Sequence, residues 1–262
     1  MSSRPPHLTQ DRADRFRDQS VVDAYPLRWP YPPEVFQVLV DLMADSTGIA
    51  LDAGTGTGDI ARPLVARVGR VDAVDVSARM LAQARALPGG DHPGLQWIES
   101  RAEDFATELR YSLVTAGESL HWMDWDIVLP RFRELLVPGG MLAILQRSES
   151  PTPWRDGLAG LIATHSTVRN YEPFDLITEL EDRSLFEVKG RHETAPVPFR
   201  QSVADYIESF HSRSSLSRDN MPRGTADAFD GELRALVEPW CEDGVVVLQT
   251  MADMVWGVPL AG

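Results

Sequence analysis

From residue 48 onward, apolar residues come in short runs, each closed by a turn signal and followed by a stretch with helical period. Residues 48–52 (GIALD), 70–75 (RVDAVD), 95–99 (LQWIE), 112–116 (SLVTA) and 141–145 (MLAIL) read as five strands. Helical segments fall between them at 60–68, 78–86 and 125–136. This alternation builds βαβ units and hence a mostly parallel α/β sheet with helices on both faces. The first forty residues read as a polar, helical arm, interrupted by the proline-rich turn YPLRWPYPP at 25–33 and closed by an apolar helix over 34–43. Pro32 and Pro33 suit the start of that helix. After residue 146 the pattern is less regular, with helices expected near 154–165, 202–211 and 225–240 and strands at 185–193 and 244–251. The chain therefore divides into an arm (1–47), a sheet core (48–146) and a second half (147–262) that continues the sheet and caps its carboxyl ends, all within one domain over 1–262. Residues 211–224 (HSRSSLSRDNMPRG) read as the most mobile loop.

The chemistry concentrates in Leu51-Asp52-Ala53-Gly54-Thr55-Gly56-Thr57-Gly58, directly between the first strand and its helix. Glycine there permits a tight turn and a close backbone approach to a ligand, although strand-to-helix turns also use glycine for steric reasons alone. Asp75 narrows the choice. It ends the second strand seventeen residues beyond Gly58, where a carboxylate accepts two hydrogen bonds from ribose hydroxyls; the bland alternative is a solvated acid at a strand end. The dinucleotide fingerprint requires glycine at position 59, and this chain has Asp59, an acid at a helix start that opposes a pyrophosphate. S-adenosylmethionine (SAM) carries a sulfonium, an amine and a carboxylate but no phosphate. Asp52 and Asp59 are compatible with it, and Asp52 is placed to help hold its amino group. The loop favours SAM over NAD.

Composition restricts the partner. The 262 residues, 43% of them hydrophobic, can bury one large α/β core. Thirty-nine acidic against 25 basic side chains give a formal charge of −14, which opposes binding to nucleic acid and to anionic membrane surfaces and favours a small-molecule acceptor. The single cysteine, Cys241, forms no internal disulfide, and the first twenty residues lack an apolar leader, so a cytoplasmic setting is expected. No run approaches membrane-spanning length, and no His/Cys cluster has metal-ligand spacing, so neither a membrane nor a metal is expected. Monomer and homodimer both remain open.

With these residues in view, the sequence resembles the class I SAM-dependent methyltransferases, in particular the small-molecule branch of trans-aconitate methyltransferase-like enzymes. LDAGTGTGDIA, VDAVDVSARMLAQAR, ESRAEDF and LVTAGESLHWMDWDIVLPRFRELLVPGGMLAI carry the resemblance over about residues 20–146, and the 25–32 segment resembles the branch's Y-x-x-x-R-P-x-Y-P opening with Pro30 displaced by Trp29. The resemblance implies a Rossmann-like, seven-stranded sheet whose last strand is antiparallel. It also implies that Gly54, Thr55 and Gly56 line the methionine portion, that Asp75 with Val76 holds the ribose, and that Ala102 and Glu103 face the adenine. Arg101 stands where many relatives carry an acid. Gly117 and Glu118 would border the methyl group.

Methyl transfer from a sulfonium needs alignment and dryness more than a base. His121 is the candidate base, at the mouth of the cleft after the fourth strand; His121 and Trp122 are equally readable as a packing pair. Tyr25 and Arg28 either close over the cofactor, with Arg28 pairing the methionine carboxylate, or form a surface turn. Trp154, His165, Tyr171 and His211 fall in the expected cap, as acceptor contacts or as lid core. The expected activity is SAM-dependent transfer of a methyl group to an oxygen or nitrogen of a small molecule, a carboxylate among the candidates, with specialised metabolism as one setting. The competing readings are a SAM enzyme without transfer, such as one cyclising SAM or its substrate, and a non-catalytic SAM-binding protein.

Overall fold

Five parallel strands, β1 (Ala50–Ala53), β2 (Val71–Asp75), β3 (Leu95–Glu99), β4 (Tyr111–Gly117) and β5 (Leu136–Glu149), form the first half of the sheet in spatial order β3-β2-β1-β4-β5. The computed structural model describes residues 9–43, 48–168 and 174–260. β6 (Phe186–Glu193), β7 (Val197–Ser202) and β8 (Val245–Pro259) complete the sheet, and β8 lies antiparallel beside β5. β8 is long enough to serve two partners on its other edge: Asp253–Pro259 pairs with β6 and Val245–Thr250 with β7. The sheet thus has the seven expected positions plus an eighth strand laid end to end with β6. β7 escaped the sequence pattern because it is short and carries Pro198, a residue suited to an edge.

Before the sheet come α1 (Gln10–Asp14), α2 (Gln19–Ala24) and α3 (Pro33–Asp41); α4 (Ala61–Val68), α5 (Ala78–Ala86) and α6 (Trp125–Leu135) are the crossovers. The second half supplies α7 (Arg155–His165), α8 (Leu176–Asp182), α9 (Val203–Ser209) and α10 (Thr225–Val237). Caps fix several starts: Ser77 Oγ accepts from the Met80 N–H, and Asp124 caps α6 through the Asp126 N–H. β5 shows how period two separates the two main layers. Leu142 and Ile144 face a core with Leu51, Val114, Trp125 and Phe132, whereas Ala143 and Leu145 face one with Val35, Leu39 and Leu64. A third core, around Trp154, Tyr206, Phe210, Phe229 and Leu248, belongs to the cap.

Three expectations need correction. β5 runs to Glu149, beyond the expected end at 145, because β8 keeps pairing with it. α8 was not anticipated; Asp175 caps it through two N–H groups and Leu180 anchors it. The stretch 211–224 is no loose loop, since His211, Ser212, Leu216 and Ser217 are fully buried in it. Among the described residues no helix is long and apolar enough to cross a membrane.

Inside the sheet, the Tyr111 hydroxyl donates to Asp72 Oδ2 at 2.8 Å, and Arg70 pairs the same carboxylate at 3.0 Å. Tyr111→Phe leaves that buried carboxylate one donor short. The variant is expected to lose about 1–3 kcal/mol of unfolding free energy in urea denaturation, and an unchanged midpoint would refute the assignment.

Candidate active site

The loop after β1 folds onto the end of β2. Gly54 and Thr55 donate their N–H groups to the Val74 carbonyl at 2.8 and 2.9 Å, and the Gly56 N–H donates to Asp75 Oδ2 at 2.8 Å. Asp75 Oδ1 accepts from the Ser77 N–H at 2.8 Å. Each carboxylate oxygen is therefore oriented by one backbone donor and keeps lone pairs for hydroxyls of a ligand. Burial raises the Asp75 pKa, against the lowering effect of those N–H groups. Two glycines are sterically required: Gly54 has φ +70° and a Cβ there would stand 2.5 Å from the Ser119 Cβ, while Gly58 has φ +78° and would meet the Trp97 ring at 2.5 Å.

Above this loop opens a cavity of about 750 Å³ including its open mouth. Phe16 of the arm, Val74, Val76, Met80 and Met123 give it apolar walls; Asp75, Ser100, Glu103 and Glu118 give it acceptors. A second, smaller polar chamber of about 260 Å³ lies between Tyr25, Tyr31, Asp52, Gly54, Gly117 and Arg147. Asp52 is buried there, accepting from Thr55 Oγ1 at 2.5 Å and Thr115 Oγ1 at 2.7 Å. Burial pushes its pKa up to about 6 despite those two bonds. The Tyr31 hydroxyl and Arg147 Nε are buried beside it without a hydrogen-bond partner.

Arg147 organises the surrounding charge. From β5 its guanidinium donates to Glu118 Oε2 at 2.6 Å and to Asp59 Oδ2, and it stacks over the Tyr31 ring at 4.3 Å. Asp59 also pairs Arg62 at 3.0 Å, and Glu118 pairs Arg28 at 3.3 Å, so charges alternate from Arg62 to Arg28. Glu118 holds φ +52°, a left-handed backbone that this pairing fixes. Burial works to raise the Glu118 pKa, but Arg147 and Arg28 hold it below the ordinary carboxylate value.

The cavity brings together many of the residues singled out from sequence: Tyr25, Gly54, Gly56, Asp75, Val76, Ala102, Glu103, Glu118 and Trp122 all line it. Asp52, Thr55 and Gly117 line the smaller chamber. Glu103 accepts from the Asp124 N–H at 2.8 Å and pairs Arg101 at 3.4 Å, so the unexpected arginine is a partner of the acid. Arg28 is already engaged: it donates to Ser212 Oγ at 2.7 Å, to the Ser212 carbonyl at 2.9 Å, and to Glu118. His121 sits in a 3-10 turn with its ring 4.9 Å from that of Trp122 and does not line the cavity. Trp154 donates to the Tyr206 hydroxyl at 3.0 Å, His165 stacks edge-on against Phe229, and His211 is wholly buried between the Leu216 carbonyl and Asp230. These three belong to the cap core, and Tyr171 lies outside the described residues. Glu208, His211 and Asp230 converge closely enough for a metal ion, but the Arg218 guanidinium joins both carboxylates at 2.6 Å. Sequence reasoning missed Tyr31, Arg147, Phe16 and Met123, which arrive from elements remote from the glycine loop; the sole available signal for Arg147 was an arginine closing an apolar strand.

Residues 50–140 match the family model described as a methyltransferase domain. The methyltransferase ptaI of Pestalotiopsis fici is 33% identical over 137 residues, which span 46% of this chain and 40% of that one. Trans-aconitate 2-methyltransferase of Acidovorax sp. is 26% identical over 197 residues, 68% of this chain and 73% of the relative. A solved protein of Anaeromyxobacter dehalogenans, provisionally assigned as a type II methyltransferase, superposes with TM-score 0.63 at 22% identity, covering 89% of this chain and 99% of that one.

Two measurements probe the site's electrostatics. Arg147→Met leaves two half-buried acids, Asp59 and Glu118, with one arginine each and is expected to lower stability by about 1–3 kcal/mol; a melting temperature equal to that of the parent would show that the network is dispensable. Asp52 titrates above its unfolded value, so the folded protein binds its proton more tightly and the group favours folding below about pH 4. That contribution is lost as pH rises through its folded pKa of about 6. Asp52→Asn should flatten the fall in urea midpoint between about pH 4 and 6, and parallel profiles for the two proteins would contradict the assignment.

Proposed function

The chain belongs to the class I SAM-dependent methyltransferases, and from that premise we propose that it moves the methyl group of SAM to an oxygen or nitrogen of a small-molecule acceptor. One observation carries the reading: the unpartnered Tyr31 hydroxyl and Arg147 Nε share a buried chamber with Asp52, adjoining an apolar cavity that presents Asp75. Two donors and one acceptor in the chamber suit the carboxylate and amine of an amino-acid end. A carboxylate oriented by backbone N–H groups suits a ribose, and apolar walls beside Glu103 suit a purine. The residues fit the cofactor.

When bound, SAM supplies a methyl group already activated by its sulfonium. The protein's own contribution is binding, alignment and exclusion of water. Asp75 accepts from the ribose hydroxyls, Val76 and Met80 flank the purine, and Ala102 and Glu103 read its edge. Tyr31 and Arg147 Nε donate to the cofactor carboxylate in the role that sequence reasoning gave to Arg28, whose donors are committed to Ser212 and Glu118. Asp52 accepts from the amine. Glu118, kept ionised and held in place by its two arginines, forms the cavity wall on the side of the β4 end. Trp122 and Met123 shield the reacting space, and His121 acts through its packing on Trp122.

Isothermal titration with S-adenosylhomocysteine tests the binding half. Asp75→Ala is expected to weaken it about tenfold to a hundredfold, and Tyr31→Phe about fivefold. NADH should leave the melting temperature unchanged, whereas the SAM product should raise it; stabilisation by NADH alone would overturn the reading. Release of S-adenosylhomocysteine during turnover marks transfer, whereas methylthioadenosine would mark cyclisation of the aminobutyrate chain instead.

A further inference from the structure

Among the described residues, the buried and half-buried arginines of the cap and the site are, with one exception, visibly employed. Arg15 donates to Thr167 and the Ser214 carbonyl, Arg62 and Arg147 pair acids, Arg28 binds Ser212 and Glu118, and Arg218 joins Glu208 and Asp230. Arg213 is the exception. It is half-buried, its guanidinium lies over the Phe210 ring at 4.7 Å, and among the described residues it makes no hydrogen bond or ion pair. One face is thus covered by an aromatic ring while the N–H edge is left for another partner.

Its position in the chain sets Arg213 beside the charge network of the site. Ser212, the preceding residue, is clamped by Arg28 through two hydrogen bonds, and Arg28 also pairs Glu118, which lines the main cavity. Arg213 feels the charges of Arg28, Glu118 and Glu149. Glu149 stands two residues past Arg147 on the same face of β5. At that strand end Ser148 Oγ and Glu149 Oε2 are buried without hydrogen-bond partners. Glu149 and Arg213 are farther apart than an ion pair. The carboxyl ends of β4 and β5 and the cap turn at 210–213 therefore gather polar groups that are incompletely matched by one another, near Glu118 in the wall of the main cavity.

We propose that Arg213 anchors an anionic head group, a carboxylate or a phosphate, of the methyl acceptor, while Glu149 and Ser148 meet the acceptor's polar groups. This rests on the methyltransferase reading above. A guanidinium edge forms paired, charge-assisted hydrogen bonds with either oxyanion, and the half-buried setting limits screening. Burial and the nearby Arg28 lower the Arg213 pKa, as expected of a cation that lacks an anionic partner in the protein itself. Burial likewise raises the Glu149 pKa, against Arg213 and Arg155, which favours the neutral acid next to a bound anion.

The test uses the full chain saturated with S-adenosylhomocysteine and follows binding of three probes by calorimetry: trans-aconitate, phosphoethanolamine and trimethyl trans-aconitate, the neutral ester. One of the two anions is expected to bind, and which one does assigns the head group to carboxylate or phosphate. The ester should not bind. Arg213→Gln should weaken the anion about tenfold or more, Arg213→Lys should restore part of the loss, and neither should alter S-adenosylhomocysteine affinity. Binding of neither anion, equal binding of the ester, or an anion affinity indifferent to Arg213→Gln would each overturn the proposal. Should Arg213→Gln not fold, the comparison of anion with ester in the parent protein still decides. Failure of the parent to bind S-adenosylhomocysteine would instead sink the methyltransferase reading.

Discussion

A single buried guanidinium holds the two halves of this site together. Arg147 projects from β5, yet its partners come from the turn after β4, from the start of the helix after the glycine loop, and from the ring of Tyr31 before the sheet. Burying a cation is unfavourable unless its hydrogen bonds are met, so the position of each partner is constrained by the need to reach the others. Glu118 accepts a left-handed backbone under that constraint, and the same carboxylate fixes Arg28 and, through it, the cap turn at Ser212. Cavity wall, loop and cap therefore share one electrostatic junction. Its Nε is the donor that the junction leaves over.

Much of the scaffold was legible because local pattern and global fold agree in the parallel core. β3 and α5 occupy the residues that their apolar runs and flanking signals mark, and Asp75 sits at the end of β2 beside the glycine loop, where its spacing in the sequence puts it. Legibility fails where pairing is distant. Nothing local distinguishes β7 from an extended connection, and only β8 makes it a strand. Likewise Trp154 and His211 carry side chains typical of substrate pockets, and their use as cap core depends on Tyr206, Leu216 and Asp230, which the one-dimensional pattern cannot bring beside them. Asp59 is the subtler case. Its identity argued against a pyrophosphate, but its carboxylate is turned towards Arg62 and Arg147, so its effect on a ligand is that of a neutralised group.

On the proposed reading, specificity and cofactor binding are distributed differently over the molecule. The parallel strands and their loops present the groups suited to the cofactor, most of them backbone N–H groups or acids oriented by backbone. The proposed acceptor side draws on the end of β5 and the turn after α9, and it depends on long side chains. This division lets the second half vary its recognition while the first keeps its geometry, as expected when function is grafted on a widely shared fold.

β8 has a consequence in time as well as in space. Its pairing of Leu142 with Gly257 spans 115 positions of chain, the difference of the two numbers, and among the described residues it also provides the only ladder partner for β6 and β7. Contacts so remote in sequence are slow to form, because the intervening chain must be ordered before they repay its entropy. Until β8 docks, the free edge of β5 stays open, and two strands of the second half, β6 and β7, lack a template. Folding should accordingly proceed from a parallel, cofactor-side half to a late closure, with the interval between them the period in which intermolecular pairing at that edge competes with the native one.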